Sequence, residues 1–258
     1  MKKFTSILLS NTSLYIYGIF FVFAAWFLIS ISQGYGNLVF PNPIETFKEL
    51  GNILSKPTIY ISIGWTLLRT LIGFVIAFLS ALILGVLSGS FKKFQLFLKP
   101  LMVVLKSAPT AAFVFLFLIL SGSKYAPIYI VTLLAFPILY ESVVGGLNSI
   151  SDEINDALKV DSGRFFKSLF MVKIPLSLRF IAVGLASSFA LSFKTAIMAE
   201  IIAGDTNYGL GSMITAYRHS EPANLTPIFA ITFIAIVIIL FVDLASVFIK
   251  NKLEKEQQ

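Results

Sequence analysis

The chain has 258 residues, 57% of them hydrophobic and 13% charged, with no cysteine and a formal net charge of +7. Soluble domains carry roughly 45–50% apolar and about 25% charged residues, so a mean hydropathy of +0.89 excludes an ordinary soluble fold. The missing cysteines exclude disulfides, thiolate metal sites and thiol nucleophiles.

A helix needs about 20 apolar residues to cross a hydrocarbon core roughly 30 Å thick, and six such stretches follow one another. The first, Leu14–Ile31, comes after Met1-Lys2-Lys3. That start resembles a signal peptide, but the stretch is longer than a signal core and has no small-x-small cleavage site, so a retained helix is expected. In the loop Gln33–Pro57, Pro41-Asn42-Pro43 precedes Ile44, Phe47, Leu50 and Leu54 at helical spacing. This is the pattern of a short amphipathic helix on the outer membrane face. The second span, Ile59–Leu87, is long enough to tilt. Its Gly85 and the following Gly89 form a G-x-x-x-G that lets another helix approach, within the chain or across a dimer seam.

The third and fourth spans, Leu101–Leu120 and Tyr125–Leu147, are separated only by Ser121-Gly122-Ser123-Lys124, which predicts a tight helical hairpin. The charged segment Asn148–Arg179 is longer than a connection requires. Within it Phe165, Phe166, Leu169 and Phe170 fall on one side of a helix, and Ser162-Gly163 supplies a bend. The pattern fits a docking surface or a helix resting on lipid headgroups. The last spans are Phe180–Ala203 and Ile228–Ile249. The fold class is therefore all-α: a single polytopic membrane domain over residues 1–258 with about six transmembrane helices.

Orientation follows from Lys and Arg in the short loops. With the N-terminus inside, thirteen fall in inner segments and four (Lys48, Lys56, Lys124, Arg218) in outer loops. Arg69, Lys106 and Lys194 lie within spans, which accounts for all 20. Both termini are expected in the cytoplasm, in a plasma membrane. The basic excess is then a topology signal and a coat facing anionic lipid, which removes most of the case for nucleic acid.

An ionisable side chain at a helix centre costs about 2.5–3.5 kcal/mol on insertion scales, so each one points to a pathway or a partner. Arg69 lies within snorkelling reach of the outer face. Lys106 and Ser107 precede Pro109, where a distorted helix exposes backbone polar groups that can line a cavity. Lys194 and Glu200, six residues apart, are about 240° apart around the helix and face different neighbours; Glu200 near the outer end suits pairing at a gate. Glu141 has Lys106, Arg69 or Lys194 as possible partners, and Asp243 reads as a cap or an ion pair. These five, Arg69, Lys106, Ser107, Lys194 and Glu200, are the candidate pathway residues. No G-x-x-x-x-G-K-[ST] run occurs, so ATP would have to be bound by another polypeptide. There is no H-E-x-x-H, no G-x-S-x-G and one histidine, His219, so no catalytic residue, metal or cofactor is expected.

Asp156-Ala157-Leu158, then Ser162-Gly163, then Ile174-Pro175 resembles the EAA signature of bacterial ABC importer permeases. Asp156 stands in the Glu position and Ala157 matches. Leu158 replaces the second Ala, Ser162 stands where the family has glycine, with Gly163 one step late, and Pro175 falls at the family spacing. Pro41-Asn42-Pro43 resembles the Pro-Ser-Pro of the nitrate/sulfonate/taurine branch. Trp65 to Phe74 is similar to its second-helix start, Lys106-Ser107-Ala108-Pro109 to its Arg-Pro-Ile-Pro, and Ala199 to Gly204 with Gly209-Leu210-Gly211 to the end of its fifth helix. The resemblance covers about residues 38 to 250. It implies a type I importer fold working as a homodimer, or as a heterodimer with a sister chain. It also implies ATPase subunits docked on the inner loop through Asp156, Ala157, Ser162, Gly163, Phe165, Phe166, Leu169, Phe170 and Pro175. A substrate-binding protein would deliver a small, anionic solute outside, such as a sulfonate, taurine or nitrate, or else a pyrimidine-type precursor. With this resemblance, docking is preferred over a lipid-resting helix.

The rival readings are a stand-alone secondary transporter or channel and a non-transporting scaffold. The chain is small, shows no internal repeat and has a large inner loop that a stand-alone transporter does not need. A scaffold has no use for charges at several spans. Copurification of a soluble ATPase separates these readings.

Overall fold

Lipid offers no water to satisfy backbone N–H and C=O groups, so a chain this apolar must close its hydrogen bonds within helices. The computed structural model describes residues 11–32, 40–107, 109–161, 165–204 and 208–255, and the regular elements among them are all helical. In chain order these are α1 (Asn11–Ser32), α2 (Pro43–Leu54), α3 (Pro57–Ser90), α4 (Lys92–Ser107), α5 (Thr110–Asn148), α6 (Asp152–Asp161), α7 (Phe165–Ser168), a π-helical segment (Leu169–Lys173), α8 (Ile174–Ala203), α9 (Leu210–Ser220) and α10 (Thr226–Lys255). Among the described residues five stretches are long and apolar enough to cross a membrane: Ser13–Ser32, Pro57–Ser90, Thr110–Asn148, Phe166–Ala203 and Thr226–Ala245.

The difference from six spans lies in α5. Its 39 residues contain Gly122 at φ 74° and ψ 168°, a conformation essentially confined to glycine. The rings of Phe117 and Tyr129 stack with centroids 5.6 Å apart, whereas twelve residues of straight helix would separate them by about 18 Å. α5 is therefore a hairpin with legs 110–121 and 123–148, as the short polar connection predicts. The expected span Leu101–Leu120 needs correction, because it is not one continuous helix. α4 ends at Ser107, Pro109 is extended at φ −65° and ψ 121°, and α5 starts at Thr110. Proline has no N–H to continue the ladder and is tolerated at such a boundary.

Close approaches fix the helix directions. A Cβ on Gly73 would lie 2.9 Å from Val131, one on Gly85 2.8 Å from Val143, and one on Gly89 2.6 Å from Leu147. Partners in each pair are 58 residues apart, so α3 and the second leg of α5 run parallel. Parallel neighbours require the chain to return between them, which α4 and the first leg do. The G-x-x-x-G at Gly85 and Gly89 thus serves packing within the chain. Gly184 meets Ser142 and Gly146 meets Phe180; here one number rises as the other falls, so α8 runs antiparallel to that leg.

The helices sort into two compact units. The first comprises residues 1–60 and 213–234. There α2 starts at Asn42, whose side chain accepts from Ile44 N at 2.9 Å, with Pro43 in the first helical position. Trp26 Nε1 donates to Pro41 O at 3.0 Å, and the Phe47 ring lies 6.0 Å from Phe23 and 5.2 Å from Phe233. The buried face of α2 is Pro43, Thr46 and Ile53, while Ile44 and Leu54 are exposed. The expected apolar face, Ile44, Phe47 and Leu54, thus lies on the exposed side of α2, and the face packed within the unit is one position away. The second unit comprises residues 61–212 and 235–258. Its core joins Phe74, Ala77 and Ala81 of α3 to Val131, Phe136 and Leu139 of α5 and Ala196 of α8.

Candidate functional site

Two clefts lie end to end along the seam between α4 and the second leg of α5. The first, about 430 Å³, is lined by Lys106, Thr110, Pro137, Lys194, Thr195 and Met198 among others. The second, about 370 Å³, is lined by Lys92, Gln95, Lys99, Tyr140, Glu141 and Asn148 among others. At their junction Lys106 Nζ donates to both Glu141 carboxylate oxygens at 2.8 Å, with the two side chains 50% and 51% exposed. Of Glu141's possible partners, the structure selects Lys106. Lys194 of α8 approaches Asp243 of α10 at 3.7 Å, again half-exposed. Two candidate residues, Lys106 and Lys194, thus share one cleft. Ser107 closes α4, its hydroxyl donating to Val104 O at 3.3 Å. Lys92 and Lys99 count only as topology charges in the sequence. Their spacing of fourteen and seven residues from Lys106 is the signal that places all three on one helical face.

Arg69 and Glu200 lie elsewhere, in a buried network with side chains 6% and 0% exposed. Arg69 Nη1 donates to Glu200 Oε1 at 2.8 Å and to Tyr208 O at 2.6 Å, and its guanidinium sits 5.5 Å from the centroid of the Trp65 ring. Thr66 Oγ1 donates to Glu200 Oε2 at 2.9 Å and accepts from Leu210 N at 2.9 Å. Gly211 N adds a bond to Glu200 Oε2 at 3.1 Å. Gly204, at φ 73°, ends α8 and allows the chain to turn. A Cβ on Gly209 would lie 2.6 Å from the Glu200 carboxylate, so only glycine fits there. The network fastens α3 to the end of α8 and to the start of α9. Its groups are satisfied by protein, whereas those of the clefts face open space.

In the charged segment Asn148–Arg179, Ser162 and Gly163 lie outside the described residues. Asp156 and Ala157 are exposed on α6, and Phe165 opens α7. The single apolar face expected of Phe165, Phe166, Leu169 and Phe170 is divided and needs correction. Leu169 is 3% exposed and packs with Val143, Leu147, Ile150 and Ile181, while Phe166 and Phe170 are 72% and 63% exposed. At helical spacing Leu169 lies about 60° from Phe166 and about 100° from Phe170, so covering its edge leaves the other two outside. A π segment follows, in which Ile174 N bonds to Leu169 O. Pro175 would drive its ring against the carbonyl four residues earlier in a regular helix, and the wider turn relieves that clash. The π segment then continues without a loop into α8, so α7 and the fifth span are one rod.

Residues 77–255 match the family of binding-protein-dependent transport system inner membrane components. The chain belongs to this family. Among relatives of this permease is a putative aliphatic sulfonates transport permease of Bacillus subtilis, 26% identical over 76% of this chain and 73% of that protein. Another is a nitrate import permease of Synechocystis, 26% identical over 82% of this chain and 78% of that one. A crystal structure of an amino acid ABC transporter with histidines superposes with a TM-score of 0.64 at 17% identity. It covers 79% of this chain and 97% of that one, and the likeness is one of fold. The chain is thus an ABC importer permease. Permeases of this family are not themselves enzymes, and membership implies ATPase and substrate-binding partners in general.

Proposed function

We propose that the permease pairs with a second copy of itself and moves a small anion, delivered by a binding protein, through a path that includes Lys106 and Lys194. Both termini lie in the cytoplasm, where ATPase subunits bind and hydrolyse ATP and dock on α6, α7 and the π segment. The supporting observation is one of continuity. Phe166 and Phe170 are exposed at one end of a rod whose other part supplies Lys194, Thr195 and Met198 to the first cleft. From Phe170 to Lys194 is about 36 Å of helix, so a push on the phenylalanines is carried to the cleft without a flexible joint. The anionic cargo of the sulfonate and nitrate relatives is consistent with the two cleft lysines. In this reading the Arg69–Glu200 network is a structural fastening, and it is the cleft that solute visits.

The test is retention of the ATPase in a pull-down from detergent at fixed salt. Interface anchors cost on the order of 2 kcal/mol or more when truncated, and about 1.4 kcal/mol is tenfold in affinity. Phe166→Ala/Phe170→Ala should weaken ATPase association by roughly tenfold or more. Phe241→Ala, equally exposed but on α10, should leave it intact. Full retention by the double variant would sink the docking reading. A reporter near Ser162 accessible from outside would overturn the orientation.

A further inference from the structure

Lys92, Lys99 and Lys106 repeat every seven residues along α4. Seven residues are two turns, a rise of about 10 Å that returns to the same face. Pro100 interrupts α4 between them, yet the row stays aligned: Lys106 borders the first cleft, and Lys99 and Lys92 the second. Opposite the row, Glu141 and Asn148 are also seven apart, and both line the second cleft. Glu141 holds the lysine of the first cleft while itself facing the second, so the Lys106–Glu141 pair is the partition between them. Among the described residues neither Lys92 nor Lys99 has an acidic partner; Lys92 Nζ reaches only Gln95 Oε1, at 3.2 Å.

We propose that this row is the track of the anion, with Lys106 as its first station and Lys99 and Lys92 as the next, and that the Glu141 carboxylate is the resident counter-ion that an arriving anion displaces. The proposal rests on the importer-permease reading and assigns the charges within that path. A half-exposed ion pair is weakly held, so exchange of one anion for another on Lys106 needs no large rearrangement. Each ammonium offers three donors, and the Gln95 and Asn148 amides supply further polar contacts to a nitrate- or sulfonate-sized group in the second cleft, whose Tyr140 hydroxyl is already given to Ser88. With Glu141 seated, Lys106 is neutralised and the clefts are divided. With a solute anion in its place, the carboxylate turns to water and the row is continuous.

Because the chain has no cysteine, Asn148→Cys places a single thiol in the second cleft, and Gly51→Cys an exposed reference thiol on α2. In purified protein at low salt, each is labelled with sulfonatoethyl methanethiosulfonate (anionic) and trimethylammonioethyl methanethiosulfonate (cationic). The anionic-to-cationic rate ratio should be higher at position 148 than at 51. A unit charge about 10 Å away in water changes the local concentration of each reagent about twofold, in opposite directions. Lys99→Gln should therefore lower the ratio at 148 about fourfold, Lys99→Arg should keep it, and Glu141→Gln should raise it by unmasking Lys106. Nitrate or ethanesulfonate should slow labelling. A ratio unmoved by Lys99→Gln and Glu141→Gln overturns the proposal. So does protection by phosphatidylglycerol but not by nitrate, which makes the row a headgroup site. The ATPase pull-down is a separate outcome. Lost retention by the native protein removes the ATPase-docking reading, whereas full retention with unmoved ratios removes only the track.

Discussion

Two ion pairs join helices of the same unit at the same 2.8 Å separation, yet they have little else in common. Arg69–Glu200 is sealed from solvent and both partners have further protein partners. Lys106–Glu141 is half-exposed and lies between two clefts, and each side chain bonds only the other among the described residues. A buried pair is weak evidence of net stabilisation, but breaking one leaves an uncompensated charge in the interior. An exposed pair exchanges readily and contributes little. What separates a fastening from a movable contact here is how many lone pairs and protons the protein satisfies, and the distance does not reveal it.

The largest expected effect is on the fastening. Arg69→Ala leaves Glu200 and the Tyr208 carbonyl without their donor and should destabilise the fold by about 3–5 kcal/mol, read as a lower melting temperature in detergent. Arg69→Lys should recover only part of this, since an ammonium lacks the guanidinium fork. An Arg69→Ala protein that melts like the native one would break the contrast. Packing calibrates the middle of the scale: Gly85→Leu forces a side chain into the space of Val143 and should cost about 1–3 kcal/mol in the same assay. The smallest effect belongs to the cleft pair. Lys106→Ala should change stability by less than about 1 kcal/mol while lowering ATP-driven uptake by the reconstituted complex. If it melts as early as Arg69→Ala, the two pairs are alike and the distinction is lost.

Hydropathy and the polar Ser121–Lys124 connection make the spans and the hairpin legible in the sequence, because both depend on local composition. Pro109 is legible as a distortion but not as a break, since the apolar run Leu101–Leu120 continues across it. The choice of Lys106 for Glu141 is not, since several basic residues are available and only the register of two antiparallel helices selects among them. The division of the phenylalanine face is equally hidden. It depends on which edge of an arc about 140° wide the neighbouring helices cover, and they cover the Leu169 edge. Arg69 and Glu200 stand out in the sequence as charges in apolar spans, but that cost is the same whether a charge serves a solute or a partner. Only the satisfied network tells which.

The three glycine notches of α3, set at a constant offset against Val131, Val143 and Leu147, act like the keyways of a splined shaft. A slide of one residue in either direction would turn a side chain toward a neighbour with no recess to receive it, so α3 and the second leg of α5 must travel together as one body. The rod of α7, the π segment and α8 is a single lever by its backbone continuity. That lever is itself notched onto the same leg, Gly184 against Ser142 and Gly146 against Phe180. The joint left to give way is therefore the α4 seam, where Pro100 and Pro109 interrupt the helical ladder and a half-exposed pair is the crossing tie. A drug or antibody that wedges this seam would stall the machine without touching either the ATPase or the binding protein.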